Sequence, residues 1–308
     1  MTGTAWDVLG IGENSVDDVL HLASWPLGAD ADPPSSKTHV LSRARWPGGQ
    51  VATTLSACAA FGLRTAYAGV FGHDDNGRFI RRELEQRGID TSCAVVRPVP
   101  NRSATILVPP SGERIVLWQR DPELALHAEE IPADVFARAR VVHVDNVDEE
   151  AAIWMARAAC AAGAMVTCDI DIVTDRTDAL LAEVTVGIVA EHVPEALTGE
   201  PDIERALRAL GHRYRSRCPT LCVTLGRRGA ALLQGDQFHE APAPPVRVVD
   251  TTGAGDIFRG AFIASWLRGD PPTDILKFAN TAAALSCTRP GAIPSVPSLA
   301  DVQAALSS

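Results

Sequence analysis

The chain has 308 residues, 46% of them hydrophobic, with 28 Lys and Arg against 38 Asp and Glu for a net charge of −10. That is enough apolar material for a large core, and a mean hydropathy of +0.05 with 21% charged residues excludes wholesale disorder. The pI of about 5.3 and the lack of Lys/Arg clusters fit neither nucleic acid nor an anionic membrane surface. No apolar run reaches the roughly 20 residues that cross a bilayer. The opening MTGTAWDVLGIG has no basic stretch before its apolar run, which argues against a signal peptide. Seven cysteines, Cys58, Cys93, Cys160, Cys168, Cys218, Cys222 and Cys287, lie mostly in apolar segments and read as small buried hydrophobes in a reducing, cytoplasmic setting.

In chain order, Ala5 to Ile11 reads as a buried strand, and Ser15 to Leu22 as a second. A Pro/Ala/Asp/Ser loop runs to Ser36, and Thr38 to Trp46 forms a strand able to pair with the second. Pro47-Gly48-Gly49 punctuates before an alanine-rich helix, Gln50 to Phe61. Strand Ala66 to Phe71 and helix Asp75 to Arg87 follow. Ser103 to Val108 and Arg114 to Gln119 flank PPSGE, a hairpin signal. Alternation then resumes with Arg140 to Asp145, Glu149 to Ala162, Met165 to Asp169, Val186 to Val189, Ile203 to His212, Thr220 to Leu225 and Ala230 to Gln234. A strand at Val246 to Val249 and helices near Gly255–Arg268 and Thr273–Cys287 complete the series.

Such alternation predicts an α/β fold: a doubly wound, mostly parallel sheet with helices on both faces. The strands at about 15–22, 38–46, 103–108 and 114–119 cannot easily join that sheet and read as a small β-sheet lid on a single domain spanning 1–308. The raw edges of such a lid leave a homodimer through the lid open.

The strongest chemical signal is VVDTTGAGDIFRGAF, Val248 to Phe262. Its glycines let backbone N–H groups converge on an anion at a helix N-terminus, where the macrodipole is positive. An acid in that first turn, Asp256, is either a helix-stabilising carboxylate or a reacting one. DTTGAGD followed by Phe258, Gly260 and Ala261 resembles the C-terminal signature of the ribokinase (PfkB-type) carbohydrate kinases. WPGGQVATTLSACAAFG resembles the same family's di-glycine signature, VTLGRRGAAL its nucleotide-side loop, and FANTAAALSCTRPGAIPSVP its closing tail, in family order.

The resemblance implies an ATP-dependent, Mg²⁺-assisted sugar kinase with a small-molecule sugar substrate. Asp256 then corresponds to the general base, and the N–H groups of Gly253, Ala254, Gly255 and Asp256 to the anion hole. Asp17 corresponds to an acid that binds sugar hydroxyls, its neighbour Asp18 facing the other way, and Gly48 and Gly49 to the hinge beside the substrate. Lys37 and Arg120 are set on the lid as either anion contacts or solvated charges, and Asn101 and Ser103 as either sugar-facing or turn residues. Thr224, Gly226 and Gly229 resemble the loop flanking ATP, and Asn280 an adenine-side position. Asp250, Thr252, Gly291 and Ser295 match positions near a monovalent-cation loop, which implies K⁺ activation if they do more than turn chemistry.

There are two departures. Thr53 stands at the family's Gly-Gly-x-x-x-Asn position, and Ala190 and Val193 replace its Asn-x-x-Glu motif, leaving Glu191 or Glu195 to help with Mg²⁺. Sulfofructose kinases look similar at these places and hold a sulfonate contact where Lys37 falls, yet Val147 stands where their arginine is expected. A nucleoside kinase, with Trp118 against the base, and a non-catalytic sugar- or nucleotide-binding protein are the alternatives. Gly10-Ile-Gly12 lacks the third glycine of a dinucleotide fingerprint, and no Walker loop or nucleophile elbow is present.

Overall fold

The β-branched and small apolar runs form strands, each followed by a crossover helix. The computed structural model describes residues 4–24, 37–109 and 115–307, so most of the loop to Ser36, most of PPSGE and Arg114 lie outside the described residues. The strands are β1 (Trp6–Ile11), β2 (Ser15–Leu22), β3 (Val40–Gly48), β4 (Thr65–Tyr67), β5 (Val70–Gly72), β6 (Val95–Arg97), β7 (Ser103–Val108) and β8 (Ile115–Gln119). They continue as β9 (Ala139–Asp145), β10 (Met165–Ile170), β11 (Val186–Ala190), β12 (Thr220–Thr224), β13 (Ala230–Gln234) and β14 (Gln237–Ala241). The helices are α1 (Gln50–Ala60), α2 (Asp75–Gln86), α3 (Ala133–Phe136), α4 (Glu149–Ala161), α5 (Thr177–Leu181), α6 (His192–Thr198), α7 (Ile203–Arg213), α8 (Ala254–Arg268), α9 (Pro272–Ser286) and α10 (Leu299–Leu306).

Eight strands form one sheet in the order β14-β13-β12-β11-β10-β9-β1-β4. Strands β4 to β12 in that row pair in parallel, whereas β13 and β14 add on antiparallel. Alternation puts Val142 and Val144 of β9 against α4, α5 and α7, while Val141 faces α1 and α2. Farther along, Ile188, Cys222 and Leu232 pack under α8, α9 and α10. Both faces are therefore covered, as a parallel sheet requires.

The order reverses between β1 and β9: β4 lies on one side of β1, and β9 to β12 step away on the other. Ligands of open α/β sheets bind in the crevice outside the strand ends at such a switch point. The same crevice receives the N-termini of α1 and α8, which pack on each other closely. A Cβ at Gly260 of α8 would come within 2.6 Å of Ala57 Cβ and of Thr54 O on α1.

A second sheet, ordered β3-β2-β7-β8, forms the lid. Its β2–β3 and β7–β8 pairs are antiparallel as expected, and a parallel β2–β7 pair, Asp17 opposite Ala104, welds them together.

Three local expectations fail. Val246 to Val249 is not a strand: Val248 and Val249 are more than half exposed, and their segment is held by Val249 N–H donating to Cys287 O at 2.8 Å. Ala66 to Phe71 breaks after Tyr67, and β5 leaves the large sheet to pair with β6. The break sits at Gly69, where a Cβ would strike Tyr67 Oη and Gly12 O. Strands β6 and β14 and helices α6 and α10 are short and carry little periodicity, and the pattern missed them.

Candidate active site

At the phosphoryl end, α8 starts from Gly253, which has φ 75°, and a Cβ there would lie 2.6 Å from Ala292 Cβ. Both conformation and space therefore select glycine. Asp256 stands in the first turn, its backbone carbonyl accepting from Thr54 Oγ1 of α1 at 3.1 Å. The N–H groups of Gly255 and Asp256 lie in the same turn, where a helix offers them no internal acceptor. The Ala254 N–H donates to Thr251 O at 3.2 Å. The Asp256 carboxyl meets Asp169, the fully buried acid near the end of β10. Burial and the Asp169 charge push Asp256 well above the usual carboxylate range, and Arg259 opposes them.

At the lid end, Asp17 and Asp18 point to opposite faces of β2. Asp18 is in an exposed ion pair with Arg43 at 2.9 Å. Asp17 turns inward, where Ser15 Oγ donates to it at 3.3 Å, and a Cβ at Gly48 would come within 2.8 Å of its Oδ2. Burial, only partly offset by Ser15, raises the Asp17 carboxyl to about 6. Gly49, φ 97°, opens α1 against the Asn14 backbone, 2.5 Å from where its Cβ would be. Glu13, just past β1, is buried, and desolvation raises its proton affinity against the pull of Arg120 and Arg102. Arg120 Nη2 donates to Glu13 Oε1 at 2.9 Å and its guanidinium lies 4.9 Å from the Trp118 ring.

Behind these groups is a buried frame. Asn14 Nδ2 donates to Tyr67 Oη at 2.6 Å and to Val70 O at 2.7 Å, while Tyr67 donates to Gly12 O at 2.8 Å. Asp145, at the end of β9, accepts from the N–H groups of Glu13 at 2.7 Å and Val147 at 3.1 Å. Burial, with the Glu13 charge, lifts it to about 8. Arg102 donates to both oxygens of Asp148 at 2.8 and 2.7 Å.

Asp250, Thr252 and Gly291 are joined by hydrogen bonds. Asp250 Oδ1 accepts from Thr252 N–H at 2.9 Å and Thr252 Oγ1 at 2.7 Å, and its Oδ2 accepts from Gly291 N–H at 2.9 Å. Ser295 Oγ donates to Ala292 O at 2.8 Å nearby in the chain. On the nucleotide side, Thr224 ends β12, and Gly226 and Gly229 shape the turn that follows, with φ 54° and 96°. Glu191 follows β11 and is ion-paired with Arg228 of that turn at 2.6 Å.

Other predicted site residues are placed differently. Lys37 lies beyond the far end of the β2–β3 pair, past Thr38, whose Oγ1 meets Ser24. Asp17 is opposite Trp46 and Leu22 opposite Val40, so six residues, about 20 Å of strand, separate the Lys37 end from Asp17. Asn101 is buried and its amide is committed, accepting from Gly72 N–H at 2.9 Å and donating to Asn14 Oδ1 and Arg102 O, each at 3.0 Å. It is a joint between lid and body. Ser103 is half-buried and meets Gln119 Oε1 across the hairpin at 3.5 Å. Thr53 is fully buried behind Gly253, and its Oγ1 has no partner among the described residues. Asn280 donates to Ala241 O at 2.8 Å, which pins the chain leaving β14.

Sequence reasoning missed Glu13, Asp145, Asp169 and Arg259. A signal was available for the first three: IGE, VHVD and VTCD each end an apolar strand with an acid at the edge of the crevice. Nothing local distinguishes Arg259 from any helical arginine.

Residues 25–299 match the model of the pfkB family carbohydrate kinases. The chain belongs to that family. It is a sugar kinase, a phosphotransferase. The kinase is 30% identical over 283 residues to fructokinase-1 of Zea mays, covering 83% of this chain and 87% of the relative. It is also 30% identical to an ATP-dependent ribose-1-phosphate kinase of Halopiger xanaduensis, covering 92% and 93%. Its fold superimposes on Arabidopsis thaliana ribokinase complexed with ribose and ATP with a TM-score of 0.83, at 24% identity over 99% of both chains. No helix among the described residues is long and apolar enough to cross a membrane.

Proposed function

We propose that the kinase, acting as one ribokinase-like catalytic domain, transfers the γ-phosphoryl group of ATP to a hydroxyl of a neutral sugar held between Asp17 and Asp256. The hydroxyl oxygen forms the new bond to phosphorus as the bond to the ADP oxygen breaks, and the hydroxyl proton passes to Asp256. The observation that carries this reading is the placement of Asp256 in the turn that presents the Gly255 and Asp256 N–H groups. Proton acceptor and anion donors are then rigidly juxtaposed, which is what phosphoryl transfer demands of a protein. Asp17 orients the sugar through its hydroxyls, and Gly48 and Gly49 let it approach the backbone. The inward carboxyl of Asp17, with Glu13 and Asp250 acting on it in the same sense, disfavours a sulfonated or phosphorylated sugar, and Lys37 is too remote to compensate.

The nucleotide side fits ATP. The turn at Gly226 and Gly229 follows Thr224, and open space lies around Gly226. Among the described residues no group of three or more His, Cys, Asp or Glu is arranged to hold a metal ion. Mg²⁺ would come with the phosphates and neutralise their charge, with Glu191, beside the Gly226 turn, as the acid offered to it. Asp250, Thr252, Gly291 and Ser295 would hold K⁺ beside the anion hole. Exposed Ile115, Val116, Leu117 and Trp118 along the edge strand β8 favour pairing of two lids in a homodimer.

The test is ADP release with ATP, Mg²⁺ and a panel of fructose, ribose, a sulfonated ketose and a nucleoside. Release with a neutral sugar, abolished in Asp256→Asn, is expected. Preference for the sulfonated ketose would overturn the substrate class, and a nucleoside preference would assign Trp118 to the base.

A further inference from the structure

Under the proposed base lies a buried charge pair that the transfer reaction, as written above, does not use. Arg259 follows Asp256 by three positions, so it shares its helix face. Its Nη2 is 2.5 Å from Asp169 Oδ1, with the two side chains 4% and 0% exposed. Asp169 in turn lies close enough to Asp256 for each carboxyl to shift the other's proton affinity. Beyond these two neighbours, neither Asp169 oxygen has a hydrogen-bond donor among the described residues, and Arg259 Nε is likewise without an acceptor. A buried carboxylate so poorly supplied is costly as mere scaffolding. The space is also tight: a Cβ at Gly255 would fall 2.7 Å from Arg259 Nη1, so the anion-hole turn and the guanidinium are in register.

We propose that Asp169 and Arg259 are positioning residues for Asp256, a pair that aims its carboxyl into the crevice and sets the pH at which it gives up its proton. The inference rests on the reading of Asp256 as base. Two carboxyls that influence each other this strongly titrate as a pair rather than singly. Burial and the Asp169 charge make Asp256 a better proton acceptor, and Arg259 opposes them. Other charged or titratable groups facing the trio are Asp171 after β10, Glu13 after β1, His143 of β9, and Cys168 and Cys222 on β10 and β12. His143 is held neutral, its proton affinity lowered to about 3 by burial and Arg259, and burial pushes both thiols up. Asp171 raises the proton affinity of both acids and Glu13 that of Asp169, in the same sense as Asp169 acts on Asp256.

The sign gives a test that loss of packing cannot mimic. Asp169→Asn removes the anion, so the acid limb of kcat/KM against pH should move to lower pH by at least about one unit. Arg259→Met removes the cation, so the limb should move to higher pH, and Arg259→Lys should restore it towards wild type. Should Asp169→Asn or Arg259→Met fail to fold, the wild-type protein carries the test alone. Carboxyl ¹³C NMR should then show Asp169 and Asp256 titrating in two linked steps, one well above the ordinary aspartate range. Limbs that stay in place, or move together in one direction, overturn the proposal, as does independent titration of the two acids near ordinary values. Asp256→Asn is measured alongside. If it keeps turnover, the base assignment itself falls; if it loses turnover while the limbs stay fixed, only the role of the pair falls.

Discussion

The floor of the crevice and the lid above it are built on opposite principles. Asp169 and Arg259 are almost wholly enclosed by two layers of helices and the sheet, and the glycines of the α8 start are fitted against Ala292 and Arg259. The lid is one sheet with an open face, and its strand β8 is exposed at every residue. A side chain on the floor has one conformation because the space admits no other, so groups there can be held to the tolerance that chemistry needs. The exposed positions of β8 are free to vary without disturbing a core.

Substitutions on the two sides should separate accordingly. Asp256→Asn is isosteric and should preserve fold and ATP affinity while lowering turnover by at least roughly 10²-fold, the low end for a general base; steady-state assays with thermal melts check both. Asp17→Asn should instead raise KM for the sugar by roughly 10-fold or more, as expected for a lost charge-assisted hydrogen bond, with a smaller effect on kcat. The same variant should be more stable than wild type at pH 7. An acid whose folded value is raised holds its proton better folded than unfolded, so its contribution falls as pH climbs from 3.8 to about 6. Melts of Asp17→Asn should show a gain of roughly 1–2 kcal/mol at pH 7 that vanishes near pH 4. Sugar binding by the wild type should weaken below pH 6, where Asp17 takes its proton.

Gly253→Ala forces a Cβ into a left-handed residue and against Ala292. It should cost about 1–2 kcal/mol from conformation alone and lower turnover as the anion-hole turn shifts; denaturant titration reads the first effect. Smallest of all, Trp118→Ser on the two-thirds exposed lid position should change stability by no more than about 0.5 kcal/mol. Sedimentation velocity should nonetheless show loss of self-association if lids pair.

Local motifs were legible because their physics is local. DTTGAGD is a strand-exit turn, a left-handed glycine and a helix start in consecutive residues, and Asp250, Thr252, Gly253 and Asp256 fall where those constraints place them. The lid hairpins were likewise readable from alternation and turn residues. For Lys37 the sequence left an anion contact and a solvated charge open, because its distance from Asp17 depends on how β2 pairs with β3, a register that composition does not encode. Asn101 and Asn280 could not be assigned from sequence, since an amide that ties two backbones together is indistinguishable there from one that faces a ligand.

Alternating apolar runs, punctuating glycines and a few contiguous motifs were sufficient to define a covered parallel sheet, a lid and the acid at the start of α8, because each depends on neighbours along the chain. The crevice itself was decided by folding. The order reversal between β1 and β9, the convergence of strand-end acids and the joining of Asp169 to Arg259 bring together residues far apart in sequence. Electrostatic coupling depends on distance in space and on burial, and both exist only once the sheet and its helices have closed around them.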